Sequence, residues 1–417
     1  MAQLSDDCFA FGGPLMSVDE AVGIIVARVK AVCEVEAVSL IEADGRILAH
    51  DVAAPLPLPP FTNSAVDGYA LPSGDLPQAL ERAFPMSGRV QAGHAAQAAE
   101  PGHAVRIFTG APMPGGTDTV FMQEDIRVDE AGRVVVPPGL KAGANVRLAG
   151  EDIAAGDVAL KAGTRLRPQD VALAAALGLT GLAVARRIKV AVFSTGDELA
   201  SPGTSRAPSQ LFDSNRFMLM AMLRRLGCEV SDLGILRDQR TLLAQALQQA
   251  AAMHDLILTT GGVSTGEEDH VKAGVDSVGS LVLWRMAIKP GRPVAMGIIG
   301  GTPFIGLPGN PVASFVTFVH VVRPTVLALS GARLAHPVAI PVRAAFTYKK
   351  KGGRREYVRV NLRKRADGEL EAIKFPREGA GLLSSLVETD GLVELGESVT
   401  KVEPGQHVGF LGYAALL

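Results

Sequence analysis

Five segments of the sequence combine glycine with charged or small polar residues, and each directly follows an apolar, strand-like run. They are STGDEL (194–199), GILRD (234–238), TTGGVSTGEED (259–269), AIKPGR (287–292) and GLPGNP (306–311). In an open α/β sheet a ligand binds beyond the carboxyl ends of the strands, so these segments are predicted to meet in one crevice. Its glycine-lined walls, carboxylates and two cations would suit an anionic, phosphorylated ligand.

The segment TTGGVSTGEED is the most informative of the five. Gly261 and Gly262 allow backbone amides to approach an anion because no Cβ stands in the way. Glu267, Glu268 and Asp269 follow them, and carboxylates near phosphates usually need a bridging Mg²⁺. Taken alone, the motif fits an ordinary strand-to-helix turn equally well, with the acids favouring a helix N-terminus. The acidic cluster beside a phosphate-type loop nevertheless favours a Mg²⁺ site.

Two further strand ends supply groups for an anion. Asn310 is predicted to cap a helix that begins at Pro311, and the start of such a helix can hold an anion. A cap without a ligand is the commoner outcome for this pattern. Lys289 and Arg292, in the KPGR turn, supply positive charge, and the alternative for them is a solvated surface turn.

The remaining polar residues either leave two roles open or exclude a class of enzyme. Asp238 is either a Mg²⁺ ligand or a helix cap, and Glu198 is either a metal or water ligand or a solvated loop acid. His254, His270 and His320 lack paired ligand spacing and are predicted to be structural. The sequence contains neither a GxSxG nucleophile elbow nor a GxxxxGK[ST] loop, which argues against acyl transfer on a serine and against a P-loop enzyme.

The apolar patterns predict the elements that position these groups. Residues 185–332 alternate strands with helices, which predicts a doubly wound parallel sheet. Residues 55–145 contain short apolar runs separated by Gly, Pro and Asp, and predict a β module. This module is inserted between segments 15–54 and 146–184, which both show helical patterns. Residues 333–417 return to short alternating strands and predict a small β-barrel or sandwich.

The composition excludes several classes of protein. The 417 residues are 47% hydrophobic and 20% charged, with a net charge of −2, so neither disorder nor a nucleic-acid partner is expected. Cys8, Cys33 and Cys228 share no metal spacing and are typical of a reduced chain. The N-terminus lacks the pattern of a signal peptide, and Val171–Ala185 and Phe304–Leu329 are too short or too interrupted to span a bilayer. We therefore expect a cytoplasmic protein without a membrane partner.

Six ordered motifs resemble those of the MoeA family of molybdopterin molybdenumtransferases, which includes the gephyrin E domain and its plant counterpart. They are PFTNSAVDGYA, RIFTGAPMP, FSTGDEL, TTGGVSTGEED, AIKPGRP and GLPGNPVAS. The resemblance implies an elongated helical domain of two segments, an inserted β module, an α/β domain similar to that of molybdopterin-adenylylating proteins, and a C-terminal β-barrel. It also implies a homodimer whose active site lies between one subunit's α/β domain and the partner's β module.

The resemblance also implies roles for the residues that match the family's motifs. The implied catalytic residues are Asp67, Thr109, Glu198, Asp238 and Asp269, of which Glu198, Asp238 and Asp269 would hold Mg²⁺. For substrate binding the resemblance points to Arg285, Lys289, Pro308, Pro311, Arg359 and Ser385. The residues Gly261, Gly262, Ser264, Arg292 and Asn310 complete the predicted substrate-binding set. Family members often have lysine where this chain has Arg285, which keeps the charge but changes the geometry offered to an anion.

The implied reaction inserts molybdate into adenylylated molybdopterin. Mg²⁺-dependent cleavage of the phosphate anhydride would release AMP and molybdenum cofactor, and transient contacts with the adenylylating protein and apo-molybdoenzymes are expected. One alternative is the preceding adenylylation of molybdopterin by ATP, and another is a non-catalytic, peptide-binding scaffold. The motifs at 60–125 and the C-terminal β region argue against the first alternative, and the complete set of acids argues against the second. The use of tungstate in place of molybdate stays open.

Overall fold

The structure, a computed structural model, describes residues 15–32, 34–237, 240–261, 270–334 and 336–416. Several residues named in the sequence predictions lie outside the described residues: Cys8, Cys33, Asp238, Gly262, Ser264, Glu267, Glu268 and Asp269. The side chain of His270 is likewise not described.

A six-stranded sheet forms the centre of segment 185–332. In spatial order its strands are Glu229–Leu236, Lys189–Thr195, Leu256–Thr260, Thr302–Leu307, Pro293–Ile299 and Gly279–Arg285. Pro293–Ile299 runs antiparallel to both of its neighbours, and the other five strands all point the same way. The five polar segments therefore follow strands that end at the same edge, as the sequence predicts.

The α/β class is confirmed, but the prediction of an all-parallel sheet is wrong for one strand. Pro293–Ile299 and Thr302–Leu307 form a hairpin in which Ile299 pairs with Thr302. The two turn residues, Gly300 and Gly301, have φ values of +56° and +87°. Two residues with positive φ form the tight turn that joins antiparallel strands, so this Gly-Gly pair explains the reversal.

Helices cover both faces of the sheet. Val190 and Val192 pack on one side with helix Asn215–Arg225 and the helical run from Pro311 to Leu329. Ala191 and Phe193 point to the other side, where they pack with two further helices. Those helices are Arg240–Met253 and His270–Asp276. This alternation along one strand gives the sheet two apolar faces, which is the pattern of a doubly wound domain.

The first helix belongs to this core rather than to the N-terminal strands. Helix Val18–Arg28 begins with a capping box in which Ser17 and Glu20 bond each other's backbone amides. Its residues Ala21 and Ile25 are fully buried in the same cluster as the sheet residues. Segment 15–54 thus contacts the α/β domain through its first helix.

One helical run has the length and apolar composition of a membrane span. It extends from Pro311 to Leu329, through helix Pro311–Thr317, a π-helical turn over Phe318–Val322 and helix Arg323–Leu329. In this structure 83% of the span is buried inside the protein. A core helix of an α/β domain has the same composition, and this run packs against the central sheet.

The two segments that flank the β module pair with each other through strands. Val35–Ser39 pairs with Gly181–Ala185, and Val52–Ala53 pairs with Val158–Leu160. Asn63–Ser64, which lies in the 55–145 region, pairs with Val146–Arg147 of the second segment. Helix Pro168–Ala176 is the α-helix of the second segment, so the helical pattern predicted for 146–184 describes less than half of it. The packing of the two segments, which the sequence left open, thus depends mainly on strand pairing.

Short strands within residues 55–145 form β-sheets, as the sequence predicts. A four-stranded sheet has the order Met86–Val90, Ala104–Ile107, Gly68–Leu71 and Thr119–Met122. A three-stranded sheet has the order Arg82–Phe84, Val134–Val136 and Arg127–Val128. Phe84, Leu71 and Phe121 are buried between these strands. The exact limits of the four predicted domains stay a prediction.

The C-terminal region is a closed five-stranded barrel. Around the barrel the strands are Arg355–Lys364, Leu370–Lys374, Ile340–Ala344, His407–Gly412 and Gly391–Leu395, and the last pairs with the first. Short strand Ile288–Lys289 of the α/β domain adds to Arg355–Lys364. Outside the ring, the C-terminal region has the two-stranded pair Tyr348–Lys349 with Lys401–Val402 and helix Ser384–Val387. In the α/β region, Leu199–Ala200 and Leu211–Phe212 form a separate two-stranded pair.

Candidate functional site

Two cavities lie next to each other beyond the carboxyl edge of the sheet. The sheet-edge cavity, of about 500 Å³, lies over the ends of the parallel strands. The barrel cavity, of about 420 Å³, lies between the α/β domain and the C-terminal barrel. Asn310 lines both cavities, so they are adjacent. Volumes of this size are typical of sites for small molecules and cofactors.

Glycine is needed where strand Leu256–Thr260 ends in the sheet-edge cavity. Gly261 has a φ of +86°, and a Cβ there would lie 2.6 Å from the carbonyl oxygen of Thr195. The Gly261 amide donates to the carbonyl of Leu307 (3.2 Å). The prediction that this amide is open to an anion is therefore wrong, although Gly261 does line the cavity. Its role is to let two strand ends approach each other closely.

Asn215, which the sequence analysis missed, holds two of the strand ends together. Its Nδ2 donates to Thr260 Oγ1 (3.0 Å) and to the carbonyl of Gly309 (2.7 Å). Thr260 Oγ1 in turn donates to the carbonyl of Pro308 (3.2 Å). The available signal was the run DSN at 213–215, three consecutive polar residues that favour helix caps.

Glu198 is an available carboxylate at the sheet-edge cavity. Its side chain lies against Gly196, whose φ is +138°, and a Cβ on Gly196 would come within 2.5 Å of a carboxylate oxygen. Across the described part of the chain, no lysine or arginine forms an ion pair with Glu198. By contrast, Asp213 in the same cavity is engaged by the buried Arg216, whose Nε donates to it at 2.8 Å. Glu198 thus fits the predicted metal or water ligand better than Asp213.

The helix that begins at Pro311 is less open to an anion than predicted. Asn310 occupies the N-cap position, but its side chain makes no capping hydrogen bond. The amide of Val312, in the first turn, donates to the carbonyl of Ala380 (3.0 Å), which belongs to the C-terminal domain. Asn310 Oδ1 lies 3.5 Å from the position a Cβ would take on Gly381. The start of this helix therefore connects the α/β domain to the C-terminal domain.

The barrel cavity is lined by positively charged side chains from both domains. The cations are Lys289, Arg292, Arg359, Lys374 and Arg377. Glu378, also in the lining, is bonded by Lys374 Nζ at 2.5 Å. The turn between Lys289 and Arg292 requires glycine at position 291, because a Cβ there would lie 2.3 Å from Thr317 Oγ1. The excess of positive charge suits an oxyanion.

Arg359 is held in place before any ligand binds. Its Nη1 donates to Ser385 Oγ (2.8 Å) and to the carbonyl of Gly379 (2.8 Å). Burial lowers the pKa of Arg359 from its ordinary value, but arginine remains charged in proteins. Ser385 is fully buried behind Arg359 and does not line the cavity. The structure thus places Ser385 as a support for Arg359.

The predicted residues Pro308 and Pro311 line these cavities, whereas Arg285, Asp67 and Thr109 do not. Arg285 ends the edge strand Gly279–Arg285, where its carbonyl accepts from the amide of Met16 (2.9 Å). Asp67 and Thr109 lie together in the β module, because Asp67 Oδ1 accepts from the Thr109 amide (2.7 Å) and hydroxyl (2.8 Å). These bonds, the amide first, lower the pKa of Asp67.

Comparison with known families and proteins places these features in context. The chain matches the MoeA N-terminal region (domain I and II) over residues 16–178, the probable molybdopterin binding domain over 191–328, and the MoeA C-terminal region (domain IV) over 341–412. It is 37% identical to the molybdopterin molybdenumtransferase of Haemophilus influenzae, over 94% of this chain and 100% of that protein. It is 35% identical to the molybdopterin molybdenumtransferase of a Nostoc species, over 95% and 93% of the respective chains.

A solved structure supports the same relationship. The molybdopterin biosynthesis MoeA protein of Pyrococcus horikoshii superposes with a TM-score of 0.80 at 28% identity. The match covers 96% of this chain and 100% of that chain, so it includes every domain described above. On this similarity, the chain belongs to the MoeA family of molybdopterin molybdenumtransferases.

Proposed function

We propose that this protein is an enzyme of molybdenum cofactor biosynthesis that inserts molybdenum into molybdopterin, as the names of its relatives indicate. One observation carries the proposal. The cationic barrel cavity adjoins the sheet-edge cavity at Asn310, so an oxyanion and a larger organic ligand can be held side by side. Molybdate and an adenylylated molybdopterin are the substrates that we assign to these two cavities.

The residues divide between the two cavities according to charge. Lys289, Arg292 and Arg359 attract and orient molybdate in the barrel cavity, since their side chains provide positive charge and N–H donors. Pro308, Asn310 and the strand-end residue Gly261 form the wall along which the organic substrate lies. Close approach of the two substrates lowers the entropic cost of their reaction.

We assign Mg²⁺ to the sheet-edge cavity, next to the phosphate anhydride. Glu198 fits such a site because it is a hard oxygen ligand with no cationic partner among the described residues. Asp238 and Asp269, the other proposed ligands, are outside the described residues. Bound there, the ion would stabilise the negative charge that develops when the anhydride is cleaved and AMP leaves.

Asp67 and Thr109 are assigned to the partner's active site in a homodimer. Their hydrogen-bonded pair lines neither cavity of its own chain, so a second subunit would have to bring it to the substrate. We further propose a cytoplasmic location, because the substrates are intermediates of cofactor synthesis. Transient contacts with the adenylylating protein and apo-molybdoenzymes would pass those intermediates on.

Two experiments on one reaction mixture test the function. Purified protein is mixed with adenylylated molybdopterin, with and without Mg²⁺ and molybdate, and AMP release is measured. The same mixture is then scored for reconstitution of an apo-molybdoenzyme. We expect AMP release and reconstitution that both require molybdate and Mg²⁺.

The alternatives give different results in the same mixtures. Consumption of ATP with plain molybdopterin, and no AMP release, would assign the adenylylation step instead. Absence of both activities, combined with capture of peptide ligands, would indicate a binding scaffold. A Glu198→Gln variant that retained the full Mg²⁺ dependence would contradict the metal assignment alone.

A further inference from the structure

We propose that Glu356 is a positioning residue for molybdate, which holds the Lys289 ammonium group in place at the barrel cavity. This inference rests on the proposed function, because it assumes that molybdate binds in that cavity. Neither the sequence motifs nor the family resemblance pointed to Glu356. Its role follows from its burial, from three contacts and from the register of two strands.

Glu356 is a buried carboxylate at a position where the barrel would otherwise have an apolar side chain. It is 1% exposed. Glu356, Val358 and Val360 are spaced two residues apart in strand Arg355–Lys364, so they lie on the same face of the strand. Val358 and Val360 are buried in the barrel core, and Glu356 therefore belongs to the inward-facing row. Burying a carboxylate is costly unless it is paired and hydrogen-bonded, so its partners must explain why a glutamate is found there.

Those partners connect Glu356 to the cavity wall. Tyr348 Oη donates to Glu356 Oε2 (2.8 Å), and Arg354 Nε donates to Oε1 (2.7 Å). Lys289 Nζ lies 3.4 Å from Oε2. Tyr348 and Lys289 both line the barrel cavity, whereas Glu356 does not. The carboxylate thus lies directly behind two side chains that face the ligand.

Strand pairing fixes the contact with Lys289. Ile288–Lys289 adds to the barrel as a parallel strand, and Lys289 is the direct register partner of Glu356. Lys289 is 48% exposed, and a lysine on a surface normally samples many rotamers. The register therefore places the flexible Lys289 beside Glu356, a buried carboxylate that Tyr348 and Arg354 hold by hydrogen bonds.

Tyr348 adds a second contact to the same ammonium group. Its Oη lies 3.4 Å from Lys289 Nζ and accepts from it, while the phenol proton is donated to Glu356. Burial and the neighbouring Glu356 raise the pKa of Tyr348, which keeps the phenol protonated. Lys289 Nζ is also 5.9 Å from the centre of the Tyr348 ring. Glu356 therefore orients Lys289 both directly and through Tyr348.

Charge repulsion and positioning predict opposite changes in molybdate affinity when Glu356 is neutralised, so the direction of the change tests the inference. If Glu356 acted on molybdate as a nearby negative charge, its neutralisation would tighten the binding of the oxyanion. If Glu356 positions Lys289, its neutralisation releases the ammonium group and weakens binding. We expect Glu356→Gln to weaken molybdate binding about tenfold, the usual size of the effect when a group that orients a ligand contact is lost.

Direct titration of the full-length protein with molybdate measures this effect, independently of turnover. Tyr348→Phe, which keeps the ring and the carboxylate, should weaken binding by a smaller factor. Glu371→Gln is the matched control, because Glu371 is a buried carboxylate of the same barrel, paired with Arg363 and Arg365 and absent from the cavity lining. The control should bind molybdate as the parent does. If Glu371→Gln weakened molybdate binding as much as Glu356→Gln does, the loss would come from reduced stability of the barrel, and the inference would be wrong.

A double-mutant cycle completes the test. If Glu356 acts through Lys289, the double variant K289A/E356Q binds molybdate no more weakly than K289A alone. Additive losses, or unchanged or tighter binding in E356Q, would overturn the positioning role and leave the proposed molybdate site intact. If K289A binds molybdate as tightly as the parent, the proposed molybdate site itself is wrong, and the positioning role fails with it.

Discussion

Asp67 accepts two hydrogen bonds from a single residue, Thr109, through its amide and its hydroxyl group. The amide bond is the larger cause of the lowered pKa of Asp67, and the hydroxyl bond is the second. The carboxylate form is therefore favoured in the folded protein. Stability from this pair is present above the ordinary pKa of aspartate and is lost as the pH falls through the lowered pKa.

Thr109→Ala should therefore raise the pKa of Asp67 towards its ordinary value without reaching it. The substitution removes the hydroxyl bond, but the backbone amide still donates to the carboxylate. Carbon-detected NMR titration of labelled aspartates measures the change. Thr109→Ser keeps the hydroxyl group and should keep the pKa of the parent. An unchanged pKa in Thr109→Ala would mean that the hydroxyl bond does not contribute.

At the level of single residues, the sequence identified the exposed groups better than the buried ones. Lys289 and Arg292 line the predicted cationic site because charged residues in the KPGR turn carry a recognisable signal, whereas Arg359 was predicted only through the family resemblance. Asn215 gave only the general signal of a helix cap, and Glu356 gave none. Each acts by contacting residues that are far away in the sequence, and those contacts depend on strand register and on the closure of the barrel.

Among the elements, the end of strand Leu256–Thr260 leaves no room for a side chain. Gly261 combines a φ of +86° with a would-be Cβ only 2.6 Å from the Thr195 carbonyl oxygen. The neighbouring hairpin offers a comparison, because Gly300 has a φ of +56° and no atom within 4 Å of its would-be Cβ. A side chain at position 300 would meet only the cost of a left-handed backbone, whereas one at position 261 would also meet a steric clash. Comparing the two positions therefore separates these two contributions to the free energy of unfolding.

Gly261→Ala should destabilise the α/β domain by about 3 kcal/mol, the sum of a left-handed backbone and an overpacked contact. Gly300→Ala should cost about 1 kcal/mol, because the backbone conformation is its main penalty. Urea unfolding followed by the fluorescence of Trp284 measures both, since this single tryptophan is fully buried on the same sheet. Equal shifts for the two variants would contradict the close approach.

Most strands of the α/β domain could be predicted because they are largely apolar runs that are followed by glycine and polar residues. The reversed direction of strand Pro293–Ile299 was missed because it depends on the Gly300–Gly301 turn rather than on the strand's own pattern. The strands of 146–167 were missed for another reason. They have two or three residues each, too few to show an alternating pattern.

At the scale of the whole molecule, the site is assembled from parts of the chain that lie far apart. Lys289 belongs to the α/β domain and Arg359 to the barrel, yet they line one cavity. Ile288–Lys289 joins the barrel as a strand, and the Val312 amide bonds the Ala380 carbonyl across the same boundary. The sequence predicted an α/β domain and a C-terminal β-barrel, but the contact between them depends on these pairings between distant segments.

The proposed homodimer can be tested through Asp67 and Glu198. Asp67 lines neither cavity of its own chain, whereas Glu198 lines the sheet-edge cavity. If each active site takes Glu198 from one subunit and Asp67 from the other, D67N and E198Q impair every site of their own homodimers. A heterodimer of the two variants then has one site with both changes and one site with neither.

Co-expression of D67N and E198Q from differently tagged copies should therefore restore activity that neither variant has alone. With random pairing, half of the dimers are mixed and half of their sites are intact, so about a quarter of the parent activity is expected. Tandem purification of the mixed dimers should raise this to about half.

AMP release per subunit is the measurement, and the double variant D67N/E198Q co-expressed with the parent is the control for pairing. If both residues serve one site within a single chain, the mixed dimers will be inactive.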